Sequence, residues 1–367
     1  MTTWTDVSLE DFRAVVEQTT YPADYPLADA VERNVLIYGP KLLAADRPAA
    51  RDELVKALRD GPGIVVFRGA FEPEVVDRAT AVFAALIAEQ KAAGVSGGDH
   101  FAQPGENDRV WGALDKFALR DPEAFAAYYD NDLLALICEA WLGPGYQLTS
   151  QVNVVNPGGR AQVAHRDYHL GFMSREQAAR FPLHAHLLSP VLTLQGAVAH
   201  VDMPVETGPT LYLPHSQKYP AGYLAFHQRE FTGYFDANHV QLPLGKGDAA
   251  FFNPALFHGA GTNHSAEVRR MANLLQVSSA FGRAMETVDR AAMCLALYPT
   301  LRTLTEPGNV VAAAAEGYAF PTNLDLDQPV DGLAPPAQAE LLRRALDEDW
   351  PFDRFTEALR AHQRRRS

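Results

Sequence analysis

The spacing of apolar residues divides the chain into two helical flanks around a stretch of short strands. Up to about residue 144, apolar positions recur every three or four residues, as in DELVKAL over 52–58, which is the period of an amphipathic helix. Ser8 fits the N-cap of the first such segment. GIVVFRG, residues 63–69, is an apolar run between glycines and predicts a strand. We therefore expect a helical N-terminal flank over about 1–144 with an additional strand near 63–69.

From about residue 145 to residue 282 the chain consists of short apolar or alternating segments separated by Gly, Pro and Asn, such as LSPVLTLQGAVAHVD and RRMANLLQVSSAF. Short strands with turn residues between them are typical of an antiparallel sandwich or barrel. Helical periodicity returns over about 283–367, for example in AQAELLRRALDEDW. The pattern predicts one α+β domain over 1–367, in which helices from both flanks cover a β core.

Composition allows a large core and argues against charged macromolecular partners. Hydrophobic residues make up 47% and charged residues 21%, while the net charge is -13 and the pI is near 5.4. A negative chain is not attracted to nucleic acid or to anionic membranes. No apolar run reaches the roughly 18 residues that span a bilayer, and MTTWTDVSLEDF lacks the features of a secretion signal. Cys138 and Cys294, both in apolar helical patterns, indicate buried thiols. We expect a cytoplasmic protein.

A candidate metal site begins in AHRDYHLGF, where His165 and Asp167 are two residues apart. On a strand, residues i and i+2 point to the same face, so the imidazole and the carboxylate can reach one cation. His258, which follows a short apolar run and precedes glycines, is the natural third ligand. Two histidines and one carboxylate leave coordination positions open, which suits non-heme Fe(II) better than a structural zinc.

The His-x-Asp spacing is weakly specific, and other histidines remain as alternatives. The same spacing occurs at His200 and Asp202, although Asp202 enters a turn, MPVETGP, in which a carboxylate can bond local backbone amides. His184 and His186 have the spacing of a metal pair but lack an acidic partner.

An arginine near the third ligand indicates the cosubstrate. Arg269 lies eleven residues after His258, at the head of a predicted strand. Its guanidinium can form a two-pronged pair with the far carboxylate of a 2-oxo acid. The charges of Fe(II), Asp167, 2-oxoglutarate and Arg269 then sum to zero, which avoids an uncompensated buried charge. By the period of two, Arg270 is expected on the opposite side of the strand, as a surface charge.

Several motifs together resemble the phytanoyl-CoA dioxygenase family of Fe(II)/2-oxoglutarate-dependent oxygenases. They are GIVVFRG, NPGGRAQVAHRD, ETGPTLYLPHS and GKGDAAFFNPALFHGAGTNHSAEVRR, and they span about residues 60–282. The resemblance implies a double-stranded β-helix, a jelly-roll or cupin-like core. It also implies Fe(II), 2-oxoglutarate and O2 as cofactors and cosubstrates.

Carried over residue by residue, the resemblance implies metal ligands at His165, Asp167 and His258. It implies cosubstrate contacts at Arg269, Gln162 and Asn153. No catalytic side chain beyond the metal ligands is expected. The chain departs from the family at Ala197, where many members carry a tryptophan, which suggests a roomier pocket.

The residues that follow the first two ligands are candidates for the substrate wall. Tyr168, His169 and Phe172 would border the cavity, as substrate contacts or only as core. No basic cluster lies near the predicted cavity to bind a coenzyme A phosphate, so a neutral or cationic small molecule is favoured over an acyl-CoA.

The expected reaction is hydroxylation of an unactivated C–H, with release of succinate and CO2. Asp167 supports this expectation, because halogenating relatives have a small residue in its place. Desaturation or ring closure remain open. So does a non-catalytic, cupin-like protein that binds a metal or a small acid, although a structural metal site would not need Arg269. A metal hydrolase is disfavoured because no general base accompanies the ligands.

Overall fold

The computed structural model describes residues 7–94, 105–167, 173–330 and 332–366. Within these ranges the strands are β1 (Ala30–Glu32), β2 (Val35–Tyr38), β3 (Ile64–Phe67), β4 (Asn107–Val110), β5 (Gln147–Val155), β6 (Thr193–Ala199), β7 (Leu211–Leu213), β8 (Val240–Gln241), β9 (Ala249–Phe252), β10 (Phe257–Gly259) and β11 (Arg270–Ser278). The helices are α1 (Leu9–Val16), α2 (Pro40–Ala44), α3 (Arg47–Arg59), α4 (Pro73–Ala92), α5 (Ala113–Arg120), α6 (Pro122–Tyr129), α7 (Asp132–Leu142), α8 (Arg175–Ala178), α9 (Leu183–Leu188), α10 (Gly222–Ala225), α11 (Arg229–Asn238), α12 (Arg290–Leu301), α13 (Gly308–Ala314), α14 (Gln338–Asp347) and α15 (Phe352–Arg366).

The strands form two sheets in a mixed α/β architecture. The large sheet has eight strands in the order β1-β2-β3-β9-β6-β11-β5-β4, and only the β2–β3 pair is parallel. The small sheet has the order β10-β7-β8. An antiparallel bridge between His165 and His258 adds the segment around residue 165 beside β10. The structure is therefore dominated by a large, mostly antiparallel sheet.

The N-terminal flank is less helical than its sequence predicts. The expected strand near 63–69 is present as β3, but β1, β2 and β4 also join the large sheet. β1 and β2 have only three and four residues, and β4 has the polar sequence NDRV, so none carries the alternation that indicates a strand. The predicted N-cap is confirmed, because Ser8 accepts a hydrogen bond from the Asp11 amide at 3.2 Å.

The two faces of the large sheet have different environments. On β5 and β11, Val152, Val154, Met271 and Val277 belong to the main hydrophobic core, which they share with side chains of α4 to α7 and α12. Each large apolar side chain buried there contributes about 1.5–3 kcal/mol. Alternate residues of the same strands line a cavity on the opposite face. The period of two thus separates core residues from cavity residues.

A second hydrophobic cluster covers the small sheet. Phe12 of α1 packs edge-on against Phe231, with ring centroids 5.1 Å apart, and its ring is tilted against that of Phe257 of β10 at 5.0 Å. The guanidinium of buried Arg166 lies 5.0 Å from the Phe257 ring centroid. Because Arg166 faces this cluster, its neighbours His165 and Asp167 face the other way, toward the cavity.

The sequence also allowed predictions about the two cysteines and about the apolar character of the helices. Cys138 and Cys294 are buried free thiols, as predicted. None of the helices in the described part of the chain combines the length and the apolar character needed to cross a bilayer.

Candidate metal centre and cosubstrate cavity

Backbone pairing brings the three predicted ligands together. His165 and His258 exchange two hydrogen bonds, from the His165 amide to the His258 carbonyl at 3.0 Å and the reverse at 3.1 Å. The Asp167 amide donates to the Pro254 carbonyl at 3.0 Å. His165 and Asp167 therefore share a face with His258 directly across, and the three side chains form a group whose ligand atoms lie within 4.8 Å of one another.

The imidazoles are oriented by their own strands. His165 Nδ1 lies 2.8 Å from the Val163 carbonyl oxygen, and His258 Nδ1 lies 2.9 Å from that of Leu256. A carbonyl only accepts hydrogen bonds, so each Nδ1 carries the proton and each Nε2 is left as the ligand atom. These Nε2 atoms lie 3.9 Å (His165) and 3.6 Å (His258) from Asp167 oxygens.

The electrostatics favour the metal-binding protonation state. Burial, and then the charge of His258, lowers the pKa of His165. Burial by itself would raise the pKa of Asp167, but the adjacent imidazoles of His258 and His165 and the hydrogen bond from Gln195 outweigh it and hold that pKa below its usual range. Asp167 Oδ1 is buried and has no hydrogen-bond partner among the described residues. A cation would satisfy that oxygen, so the donor set fits a metal ion.

Beside the three ligands, a cavity of about 160 Å³ lies between the two sheets. Gln162 and Asn153, the two candidates for cosubstrate contacts besides the arginine, both line it. Gln162 Oε1 accepts from the Ala260 amide at 3.2 Å, whereas Asn153 Oδ1 is buried without a partner among the described residues. Ala197 also lines the cavity, at the position where the family resemblance predicted a roomier wall.

The arginine that enters the cavity is not the one predicted. Arg269 lies at the surface, where its side chain is 55% exposed and Nη2 forms an ion pair with Asp108 at 2.7 Å. Arg270 is 7% exposed and lines the cavity. The prediction that Arg269 points into the cavity and Arg270 to the surface is wrong. The two side chains lie on the reverse sides of the strand.

Arg270 is a buried cation whose guanidinium is only partly engaged by the described residues. Its Nη1 donates to the carbonyls of Thr207 and Gly261, both at 3.2 Å. Nε and Nη2 have no protein partner, and no carboxylate pairs with Arg270, among the described residues. Burial lowers the pKa of Arg270 to about 10, so it keeps its charge at neutral pH. The Nε and Nη2 edge is the part of a guanidinium that binds a carboxylate through two parallel hydrogen bonds.

Both histidine alternatives have other roles. His200 Nδ1 lies 2.8 Å from Thr80 Oγ1 and Nε2 lies 3.0 Å from the Tyr128 hydroxyl, so both ring nitrogens are engaged inside the helical core. Asp202 accepts from the Lys246 amide at 2.9 Å. His186 Nε2 bonds the Ala178 carbonyl at 3.0 Å. Each therefore satisfies local polar groups.

The substrate-wall candidates Tyr168, His169 and Phe172 lie outside the described residues. Sequence reasoning missed other residues of the cavity wall, including Arg109, Trp111 and Gln195. Of these three residues, Gln195 could most readily have been found from the sequence, because it is the one polar side chain in the otherwise apolar β6 segment LQGAVA. Its Nε2 donates to Asp167 Oδ2.

A buried group of two histidines and one carboxylate beside a cavity is the donor set typical of mononuclear non-heme iron oxygenases. The chain belongs to the phytanoyl-CoA dioxygenase family, whose model matches residues 60–271. It is accordingly a 2-oxoglutarate-dependent non-heme iron enzyme that uses Fe(II), 2-oxoglutarate and O2.

Several solved structures are similar to this chain at low sequence identity. The α-ketoglutarate-dependent epimerase SnoN from nogalamycin biosynthesis is 21% identical over 64% of this chain and 82% of its own, with a TM-score of 0.42. The carbocyclase SnoK from the same biosynthesis is 21% identical over 62% and 84%, with a TM-score of 0.46. AviO1 from Streptomyces viridochromogenes Tue57 is 18% identical over 65% and 97%, with a TM-score of 0.44. No curated protein matches the chain.

Proposed function

We propose that this oxygenase hydroxylates an unactivated C–H of a small molecule, with His165, Asp167 and His258 as iron ligands and Arg270 as the anchor of 2-oxoglutarate. The observation that carries the cosubstrate assignment is the buried charge of Arg270, which has no carboxylate partner among the described residues. A buried charge without a counterion is costly, so a dicarboxylate that also reaches the metal ligands is the natural occupant of the cavity.

The fold supports the same proposal. Two sheets enclose the cavity, and three ligand side chains come from the segment around residue 165 and from β10, an arrangement that agrees with a double-stranded β-helix. α12 of the C-terminal flank packs against α5 and α6 of the N-terminal flank. Because the two flanks share one core, we propose a single oxygenase domain over 1–367.

The chain's own residues prepare the site for its cofactors. When bound, Fe(II) with 2-oxoglutarate and O2 supplies an oxidant able to attack a C–H, while the 2-oxo acid becomes succinate and CO2. His165 and His258 present Nε2 because their Nδ1 protons are held by backbone carbonyls. Asp167 supplies the negative charge, and Arg270 neutralises the far end of the cosubstrate. Asp167, His258 and Arg270 are buried, and burial strengthens each of these attractions.

The rest of the wall supports a small substrate with hydrogen-bonding groups. Gln151 and Gln276 offer amides that both donate and accept, and Trp111 and Met285 provide apolar surface. A mixed lining of this kind matches a neutral polar molecule better than a long acyl chain.

The ligand assignment is tested with Asp167→Ala and with Asp202→Ala, the corresponding residue of the alternative pair, as the matched control. We expect anaerobic addition of Fe(II) and 2-oxoglutarate to give a visible charge-transfer band in the parent and in Asp202→Ala, and none in Asp167→Ala. Succinate release is likewise expected from the parent and from Asp202→Ala, and not from Asp167→Ala. Retention of the band and of succinate release in a folded Asp167→Ala protein would contradict the assignment.

A further inference from the structure

Gln195 joins the large sheet to the metal ligands. It lies in β6, between β9 and β11, and is 6% exposed. Its Nε2 donates to Oδ2 of Asp167, which belongs to the segment beside the small sheet. The hydrogen bond therefore crosses the cavity and connects a central strand of the large sheet with the carboxylate.

The chemistry of the two groups sets the orientation of the amide. An ionised carboxylate only accepts hydrogen bonds, so the NH2 group of Gln195 must face Asp167 and its oxygen must face away. Gln195 Oε1 is buried and has no partner among the described residues. The contact with Asp167 is thus the one described side-chain hydrogen bond that holds this amide.

The hydrogen bond makes the two oxygens of Asp167 unequal. Oδ2 is engaged by Gln195, whereas Oδ1 is buried without a hydrogen bond among the described residues. A free carboxylate can bind a cation through one oxygen or through both, and the second mode would occupy a position that the cosubstrates need.

We propose that Gln195 is a positioning residue that restrains Asp167 to bind the metal through Oδ1 alone. This inference rests on the proposed ligand set and extends it to the side chain that orients the carboxylate. Groups that orient metal ligands in this way change metal affinity by about 10- to 100-fold when they are removed.

The chain offers a matched control for this role. Gln276 is the cross-strand partner of Gln195 and lines the same cavity, and in the described residues its side chain makes no hydrogen bond to Asp167. Gln195→Met and Gln276→Met remove the same amide from neighbouring positions and keep the side-chain length. Gln195→Asn keeps an amide but shortens its reach.

The test is an anaerobic Co(II) titration of metal-free protein, followed by visible absorption, with thermal melting of each metal-free variant as the check on folding. We expect Gln195→Met and Gln195→Asn to bind Co(II) about 10- to 100-fold more weakly and to show altered ligand-field bands, while Gln276→Met matches the parent. If Gln195→Met does not fold, Gln195→Asn still tests the proposal.

Two outcomes would overturn the proposal in distinguishable ways. If the folded Gln195 variants match the parent and Gln276→Met in both affinity and bands, Gln195 has no positioning role although the ligand set stands. If the parent itself binds no Co(II), the proposed ligand set is wrong and the role of Gln195 falls with it.

Discussion

Replacing Arg270 with methionine should remove most of the affinity for 2-oxoglutarate, whereas the same change at Arg269 should not. Arg270 is 7% exposed in the cavity, and its Nε and Nη2 groups have no protein partner among the described residues. The Arg269 side chain is 55% exposed and bonds Asp108 instead. The two residues are adjacent in the chain, so the pair of variants separates the cavity from the surface of the same strand.

The magnitude follows from the hydrogen bonds that are lost. Two charge-assisted hydrogen bonds are worth about 1.5–3 kcal/mol each, and removal of one partner of a buried charged pair costs about 2–5 kcal/mol. This corresponds to an increase in Kd of about 30-fold to several thousand-fold. The Arg269 side chain is half exposed, and neither it nor Asp108 lines the cavity, so loss of their ion pair should leave Kd within about a factor of two.

The assay is thermal stabilisation by 2-oxoglutarate in the presence of a redox-inert divalent metal, supported by calorimetric titration. At a concentration of about 100 times the Kd of the parent, the ligand stabilises the protein by about 2.7 kcal/mol. If Kd rises about 100-fold, the same concentration gives only about 0.4 kcal/mol. The Arg269→Met protein should show the full stabilisation.

The reasoning would be refuted by the reverse pattern. Normal stabilisation of Arg270→Met together with weak stabilisation of Arg269→Met would mean that β11 faces the other way. Equal, undiminished binding in both variants would mean that neither arginine anchors the cosubstrate.

Two further predictions concern stability. Burial lowers the pKa of His200 to about 3 from 6.5, so between these pH values the unfolded state binds a proton that the folded state does not, and the free energy of unfolding should fall by about 1.4 kcal/mol per pH unit as pH decreases from 6.5 toward 3. Urea unfolding at pH 6.5 and at pH 5 should show a smaller loss of unfolding free energy in His200→Gln than in the parent. An equal loss in both proteins would contradict this. At Gly208 (φ +73°) an added Cβ would lie 2.3 Å from the Thr262 carbonyl oxygen, whereas Gly69 (φ +60°) has open space. In denaturant unfolding, Gly69→Ala should lower the free energy of unfolding by about 1–2 kcal/mol, the cost of a left-handed backbone with a side chain, and Gly208→Ala should lower it distinctly more. Equal losses in the two variants would argue against the close approach at Gly208.

The sequence predicted the parts of the fold that follow from local periodicity. The β core and the flanking helices were visible because their apolar residues repeat with periods of two or of three to four. The short strands of the N-terminal flank were not, since three or four residues are too few to show a period. The pairing of β3 with β9, which places the flank in the same sheet as the core, is a contact between residues about 185 positions apart and leaves no local signal.

The ligand residues could be proposed from the sequence because their chemistry suits a metal ion and their spacing places them on one face, although the spacing alone recurs at His200 and Asp202. His165 and Asp167 are two positions apart, and a strand places such residues on one face whatever its neighbours are. Gln195 could not be assigned, because its role depends on a hydrogen bond across the cavity to a residue 28 positions earlier. Sequence alone does not show which strands face each other.

The sequence also did not show which side of β11 faces the cavity, and this determined whether Arg269 or Arg270 was assigned to it. An error of one position in a strand exchanges its two faces, and RRMANLLQVS has polar and apolar residues on both. Asn273 is fully buried on the core side, where Ser150 donates to its Oδ1 at 2.6 Å and its Nδ2 lies 3.3 Å from the Tyr128 hydroxyl. Leu274, an apolar residue, lines the cavity. A buried polar group is stable when its partners are supplied by other elements, so the network around Asn273 permits the facing that puts Arg270 in the cavity.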